Sequence, residues 1–141
     1  MTELAREFND VVCGVLVRAG RVLLVHRNRS RLWAPNCWDV PAGHIEQGES
    51  ALDALGREMR EEFGIKLGAS DARLVGRMTG SNFDARVFVL GSWSGEPENR
   101  APEEHDAVRW FLEAELPDLV LAQPDLLGIV LEALHAARPA E

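Results

Sequence analysis

The chain has 141 residues, of which 46% are hydrophobic and 27% are charged, and its formal net charge is −8. This length and composition suit one globular domain, expected over residues 1–141, and the negative charge argues against a surface that binds nucleic-acid polymers. No apolar run approaches the roughly 20 residues that span a bilayer, and the N-terminus lacks the apolar core of a secretory signal. We therefore expect a cytoplasmic protein that binds neither membranes nor nucleic-acid polymers.

The predicted elements are strands followed by a helix, then more strands and a final helix. Stretches rich in β-branched and aliphatic residues predict strands over residues 11–18, 21–26, 38–40, 72–79, 85–93 and 107–112. Turns or loops are predicted over residues 19–20, 27–37, 41–43, 80–84 and 94–106. Ser50 caps a helix that starts at about Ala51 and ends at Gly64, and helical spacing of apolar residues predicts a second helix over residues 124–137. This order predicts the α/β class, with a mixed sheet covered on both faces.

Three glutamates lie on one flank of the first predicted helix. Because a helix turns 100° per residue, Glu58, Glu61 and Glu62 share an arc of about 100°. Ala51 and Ala54 lie on the same flank and leave space above it. The neighbouring flank is apolar and can pack on the sheet through Leu52, Leu55, Met59 and Phe63.

Carboxylates this close raise each other's pKa unless cations compensate their charge. Hard divalent ions with oxygen ligands are the usual solution, and Mg²⁺ that bridges substrate phosphates is the commonest case. The alternative is a solvated acidic helix face with no bound ion.

A longer pattern surrounds these glutamates. The pattern G-x5-E-x7-R-E-U-x-E-E-x-G-U, in which U is a bulky aliphatic residue, is complete at Gly43, Glu49, Arg57, Glu58, Met59, Glu61, Glu62, Gly64 and Ile65. Seven fixed identities occur together by chance on the order of once in a billion positions. The segment resembles the signature of the Nudix hydrolases, and the chain is identified as a MutT-like member of that family.

The resemblance implies a Nudix-type α/β/α sandwich and the metal-dependent cleavage of a diphosphate linkage by an activated water. It assigns metal ligation to Gly43, Glu58, Glu61 and Glu62. It assigns a structural role within the motif to Glu49, Arg57 and Gly64. The implied cofactor is Mg²⁺, with Mn²⁺ as an alternative.

The general base varies within the family, so several glutamates are open as catalytic residues. One is a glutamate of the motif itself, at position 58, 61 or 62. Another is a glutamate from a later loop, for which Glu103 and Glu104 are the candidates. An ordinary acidic surface loop would account for that pair equally well.

The implied substrate is a small nucleotide. Residues 95–111 (GEPENRAPEEHDAVRWF) loosely resemble MutT-like members that act on nucleoside triphosphates, although Ala101 stands where those members have a glutamate. This favours cleavage of a nucleoside triphosphate, with an oxidised one such as 8-oxo-dGTP as a candidate, to a monophosphate and pyrophosphate. The alternatives are a hydrolase of another nucleoside diphosphate linked to a further group, such as ADP-ribose or a nucleotide sugar, and a non-catalytic nucleotide-sensing domain. A homodimer also stays open.

Candidate substrate contacts precede and follow the motif. Arg27, Arg29 and Arg31 could bind the phosphates, and Trp33 and Phe83 lie in predicted loops where they could stack on a nucleobase. Three histidines show no spacing typical of metal ligands: His26, His105 and His135.

Overall fold

The computed structural model describes residues 8–68 and 70–137. Both ends of the expected domain, residues 1 and 141, lie outside this range. The strands are β1 (Asn9–Arg18), β2 (Arg21–Arg27), β3 (Cys37–Asp39), β4 (Ala42–His44), β5 (Ala72–Thr79), β6 (Phe83–Leu90) and β7 (His105–Leu112). The helices are α1 (Ala51–Phe63), α2 (Leu126–Ala136) and a 3-10 helix over Glu113–Asp118.

Strand β1 is the centre of a mixed sheet with the order β3-β2-β1-β6-β5. It pairs in parallel with β6 from Asn9↔Phe83 to Leu16↔Leu90, and antiparallel with β4 and β2. Strand β2 also pairs with β7, and β5 pairs with β6. No helix within residues 8–68 or 70–137 is long and apolar enough to cross a membrane.

The two helices cover opposite faces of the sheet. Val12 and Leu16 of β1 pack in the cluster that contains the apolar side of α1, whereas Val15 and Val17 pack in the cluster that contains α2. Both faces of β1 are therefore buried, which explains its nearly continuous apolar sequence. The predicted α/β/α sandwich with a mixed sheet is confirmed.

The predicted hairpin turn and the predicted caps of α1 are present in the structure. Ala19 and Gly20 have positive φ angles of 53° and 76°, as a tight hairpin turn requires. The Ser50 side chain accepts a hydrogen bond from the Asp53 amide at 3.1 Å. Gly64 ends α1 in the left-handed conformation with φ 72°.

Several predicted bounds are wrong. Residues 42 and 43, predicted as part of a turn over residues 41–43, belong to strand β4, because they pair with β1 across the sheet. The strand expected over residues 85–93 is Phe83–Leu90, since parallel pairing with β1 starts at Asn9↔Phe83. Phe83 therefore lies in a strand and not in a loop. The 3-10 helix over Glu113–Asp118 was not predicted.

Candidate active site

Gly43 leaves room for the Glu58 side chain against strand β4. It pairs with Val12 of β1 in the sheet. A Cβ atom at this position would lie 2.1 Å from Cδ of Glu58, a distance that no side chain tolerates. Glycine is therefore required here so that the Glu58 carboxyl group can lie against the strand.

Arg57 joins the loop before α1 to the helix. Its guanidinium donates to both carboxylate oxygens of Glu49, at 2.7 and 2.9 Å, and to the His44 carbonyl at 3.0 Å. It also donates to Glu58 at 2.8 Å and to Glu61 at 3.3 Å. The Arg57 hydrogen bonds, followed by a backbone hydrogen bond from Glu46, lower the pKa of Glu49 to about 2.

Glu58 has the opposite shift. Burial raises the pKa of Glu58 to about 7, and the neighbouring Glu62 carboxyl group adds to the rise by hydrogen bonding and repulsion. The hydrogen bond from Arg57 opposes this rise without cancelling it. The side chains of Glu58 and Glu62 are only 12% and 16% exposed, whereas that of Glu61 is 56% exposed.

This acidic flank fits a divalent cation. A buried carboxyl group whose pKa is raised beside a second carboxyl group lacks sufficient positive charge nearby. A hard divalent ion with oxygen ligands would supply that charge, and Glu61 reaches the same flank from one turn along the helix.

A loop fixes a further set of polar residues against the end of α1. The Glu98 amide donates to the Phe63 carbonyl at 3.1 Å, and the Arg100 amide donates to the Glu62 carbonyl at 2.8 Å. These bonds satisfy carbonyl groups that the helix end leaves free. They also hold the following residues, including Glu104, beside Glu62.

His105 lies in this second group. The carboxylate oxygens of Glu62 and Glu104 and a ring nitrogen of His105 lie within 4.8 Å of one another. Nε2 of His105 is 3.4 Å from Oε1 of Glu62, and the imidazole stacks on Phe63 with 6° between the rings. The structure thus brings together Glu62 and Glu104 from the predicted set, and adds a histidine whose sequence spacing gave no signal.

The two loop glutamates differ in position. Glu104 is half-buried within the group, and its Oε1 lies 3.8 Å from the Arg31 guanidinium. Glu103 is exposed, and its carbonyl accepts a hydrogen bond from the Asn28 side chain at 2.7 Å.

Residues 27–34, here called the basic loop, contain three arginines, of which Arg27 is bound to the loop's own backbone. Arg27 donates to the Trp33 carbonyl at 2.6 Å and to the Ala34 carbonyl at 3.0 Å, and its guanidinium lies 4.8 Å from the centre of the Trp33 ring. Arg31 donates to the Glu104 carbonyl at 3.3 Å. Arg29 is exposed. The loop therefore borders the Glu62–Glu104–His105 group through Arg31.

The two predicted stacking residues lie in different places. Trp33 is 51% exposed on the basic loop. Phe83 packs against the core cluster that contains α2, on the sheet face opposite α1. The structure therefore does not bring Phe83 together with the residues on α1.

Asp39 is a buried acidic residue that the sequence analysis did not identify. Burial raises the pKa of its carboxyl group to about 6, against the opposing effects of the Val40 amide and of Arg27. Its Oδ2 atom is 3.9 Å from the Arg27 guanidinium. Asp39 is the last residue of β3, and one acidic residue in a short strand does not by itself indicate burial.

An acidic flank on α1, with a Glu49–Arg57 ion pair that joins the preceding loop to the helix, is the arrangement expected of a metal-dependent hydrolase. The family model described as the NUDIX domain matches residues 7–128. The chain belongs to the Nudix hydrolase family, as the motif predicted, and it is an enzyme that hydrolyses pyrophosphate bonds. Members of this family generally use divalent metal ions and act on small nucleotide substrates.

Known relatives are similar over most of the chain. The CTP pyrophosphohydrolase of Escherichia coli is 32% identical over 138 residues, which cover 94% of this chain and 97% of the relative. A Mycobacterium tuberculosis protein, named provisionally as 8-oxo-dGTP diphosphatase 2, is 35% identical over 117 residues, which cover 77% of each chain. The crystal structure of a MutT Nudix hydrolase from Burkholderia pseudomallei is 28% identical, with a TM-score of 0.73 over 89% of this chain and 98% of that one.

Proposed function

We propose that this protein is a magnesium-dependent pyrophosphohydrolase that cleaves a nucleoside triphosphate into a nucleoside monophosphate and pyrophosphate. The observation that carries the proposal is the acidic flank of α1, where the buried Glu58 lies beside the partly buried Glu62 and has too little counter-charge, so that its pKa is raised. The names of the two curated relatives, one for CTP and one for 8-oxo-dGTP, support a nucleoside triphosphate as the substrate.

The proposed metal ligands are Gly43, through its carbonyl, and Glu58, Glu61 and Glu62. An all-oxygen set suits Mg²⁺, and Mn²⁺ is the alternative. When bound, the ion supplies positive charge to the phosphate oxygens and lowers the pKa of a bound water. The role of the chain is to hold the four oxygens in place and to limit the access of bulk water to Glu58.

Glu49, Arg57 and Gly64 support these ligands. The bidentate Glu49–Arg57 pair and the Arg57–His44 bond fix the loop on the helix. Gly64 lets the chain leave α1 with a positive φ angle, so that the helix ends directly after Glu62 and Phe63.

Glu104 is the proposed general base. It is half-buried beside Glu62, so its carboxylate can accept a proton from a water near the metal ligands. The exposed Glu103 is one position away and serves as the matched comparison. Glu104→Gln should lower kcat by about 10²–10⁴-fold, and Glu103→Gln should have a far smaller effect. Equal effects of the two substitutions would instead favour a base from the motif.

The proposed substrate contacts come from the basic loop. Arg29 and Arg31 are positioned to bind phosphate oxygens beyond the metal, and the half-exposed Trp33 ring offers a stacking surface for the base. Arg27 positions Trp33 through the two backbone carbonyls that it binds. Phe83 has no part in this proposal because it packs on the opposite face.

A substrate screen with Mg²⁺ tests this function. Nucleoside triphosphates, including CTP and 8-oxo-dGTP, are incubated beside ADP-ribose, dinucleotides and nucleotide sugars, and phosphorus NMR identifies the products. We expect a monophosphate and pyrophosphate from one or more triphosphates. Preferential cleavage of ADP-ribose or a nucleotide sugar would replace the substrate class, and the absence of turnover on every compound would favour a nucleotide-sensing role.

A further inference from the structure

The imidazole of His105 is buried at the end of α1, but only one of its two nitrogens has a hydrogen-bond partner. His105 is 5% exposed, and its Nε2 atom lies 3.4 Å from Oε1 of Glu62. Its Nδ1 atom has no partner within residues 8–68 and 70–137. A buried polar atom without a partner opposes folding, and an apolar side chain of similar size would fill the same space without that cost. Packing alone therefore does not explain a histidine at this position.

The different surroundings of the two nitrogens determine the tautomer of the ring. A neutral imidazole carries its proton on one nitrogen and a lone pair on the other. A proton on Nε2 can be donated to the carboxylate oxygen of Glu62, whereas a proton on Nδ1 would face no acceptor. The proton therefore belongs on Nε2, and His105 is a hydrogen-bond donor to Glu62.

The surrounding structure holds this donor in place. The His105 amide donates to the Ala101 carbonyl at 3.0 Å, and the Asn99 side chain donates to the His105 carbonyl at 2.7 Å. The imidazole stacks on Phe63 with 6° between the two rings. Because its backbone and its ring are both fixed, His105 presents Nε2 to Glu62 before any ion or substrate binds.

Glu62 lies between His105 and Glu58. The Glu62 carboxyl group contributes to the raised pKa of Glu58 by hydrogen bonding and by repulsion. Arg57 donates to Glu58 at 2.8 Å. The contacts therefore form a chain from Arg57 through Glu58 and Glu62 to His105, in which each of the two glutamates has one hydrogen-bond donor of its own.

We propose that His105 is a positioning residue whose Nε2–H group holds the Glu62 carboxyl group in a fixed orientation for metal binding. The inference rests on the proposed function, because Glu62 is one of the proposed metal ligands. His105 acts through Glu62 and contacts neither the ion nor the substrate. Groups that hydrogen-bond to metal ligands in this way contribute about 10–100-fold to metal affinity or activity. A contact of 3.4 Å suits this role, since such hydrogen bonds are often long in the free enzyme.

Two substitutions separate the donor from the space that the ring fills. His105→Leu removes both nitrogens and keeps a buried side chain of similar size. His105→Gln keeps an N–H donor at about the reach of Nε2. The matched control is His135→Leu, because Nε2 of His135 also lies 3.4 Å from a glutamate oxygen, that of Glu113, but both side chains are about half exposed and His135 is on α2.

Three measurements on the full chain complement the activity. Nitrogen–proton NMR of the metal-free wild type identifies the nitrogen of His105 that carries the proton. Calorimetry measures the affinity for Mg²⁺, and thermal unfolding gives the melting temperature of each variant.

We expect the proton on Nε2. In His105→Leu the affinity for Mg²⁺ should fall at least about tenfold, and in His105→Gln it should stay closer to that of the wild type. The melting temperature of His105→Leu should be equal to that of the wild type within about 3 °C, or higher, because the unpartnered nitrogen is gone. His135→Leu should bind Mg²⁺ as the wild type does.

An unchanged Mg²⁺ affinity in His105→Leu would overturn the inference, and so would equal losses of affinity in His105→Leu and His105→Gln. If His105→Leu does not fold, the wild-type NMR measurement decides, because a proton on Nδ1 rules out the bond to Glu62. Each of these results leaves the hydrolase proposal intact. Failure of the wild type to bind Mg²⁺ would instead overturn the proposed function and this inference with it.

Discussion

Arg57 contacts Glu49 at 2.7 Å and Glu58 at 2.8 Å, yet the pKa values of these two carboxyl groups shift in opposite directions. The pKa of Glu49 falls to about 2 because two hydrogen bonds from the guanidinium dominate its surroundings. The pKa of Glu58 rises to about 7 because burial and the Glu62 carboxyl group outweigh its single bond to the same arginine. The charge of Glu49 is balanced by Arg57, whereas Glu58 and its neighbour Glu62 need a further cation. The Glu49–Arg57 pair therefore holds the motif together, and the Glu58–Glu62 pair is suited to bind metal and substrate.

Within this comparison, the largest effect is expected from removing a negative charge beside Glu58 and Glu62, where a cation is needed. Glu61→Gln should lower turnover by about 10²–10³-fold and leave the fold intact, because the side chain is mostly exposed and contributes charge instead of packing. Steady-state kinetics with Mg²⁺ and circular dichroism would measure the two properties. Glu132→Gln, on the exposed surface of α2, is the matched control. Near wild-type hydrolysis by Glu61→Gln would remove Glu61 from the metal site.

A substitution that changes only the space around Glu58 should also weaken metal binding, although it alters no charge. Gly43→Ala places a methyl group where the Glu58 carboxyl group lies, so the side chain must move and Mg²⁺ affinity should fall at least about tenfold. Gly56→Ala is the control within α1, since a Cβ there meets nothing within 4 Å. It should stabilise the protein by about 0.5–1 kcal/mol. Calorimetry and thermal unfolding distinguish the two, and equal Mg²⁺ affinities would contradict the close-approach role of Gly43.

Arg57→Ala should affect both Glu49 and Glu58, because Arg57 binds both carboxyl groups. It removes the support of Glu49 and the partial counter-charge of Glu58, so we expect a lower melting temperature, by about 3–8 °C, together with a loss of activity. Glu49→Gln keeps the arginine and should reproduce the loss of stability with a smaller loss of activity. An Arg57→Ala protein with unchanged melting temperature would show that the ion pair does not hold the loop on the helix.

The sequence predicted those parts of the site that depend on neighbours along the chain. Glu58, Glu61 and Glu62 share a helix flank by spacing alone, and Ser50 and Gly64 define the helix ends through their own backbone and side-chain chemistry. The family likeness followed from the same short segment, and the fold class followed from the order of the predicted strands and helices.

The remaining parts depend on pairing across the sheet. Strand β4 begins directly after Pro41 and contains Gly43, and it becomes a strand because β1 pairs with it. Asp39 and His105 reach the α1 side from β3 and β7, and 43 positions separate His105 from Glu62. No local periodicity indicates such a contact. Phe83 was misplaced for the same reason, because parallel pairing with Asn9 extends β6 into the predicted turn.

The buried Asp39 should make the stability of the protein depend on pH, and this effect is smaller than those above. Burial raises the pKa of Asp39 from 3.8 to about 6, so its folded state retains a proton that the unfolded chain releases. The corresponding stability is fully present below the unfolded pKa and is lost as the pH rises through the folded pKa. Relative to Asp39→Asn, the wild type should therefore lose about 2.5 kcal/mol of unfolding free energy between about pH 4 and pH 7. Urea unfolding at both values would show a constant difference if Asp39 were not buried.

The most direct test of the central claim is the pKa of Glu58, measured by carbon NMR of its carboxyl group with and without saturating Mg²⁺. A bound cation supplies the charge that Arg57 alone does not, so the pKa should lie near 7 in the free protein and fall well below that value when Mg²⁺ is present. The same raised pKa in both conditions would show that Mg²⁺ does not bind beside Glu58, and would contradict the assignment of this helix flank as the metal site.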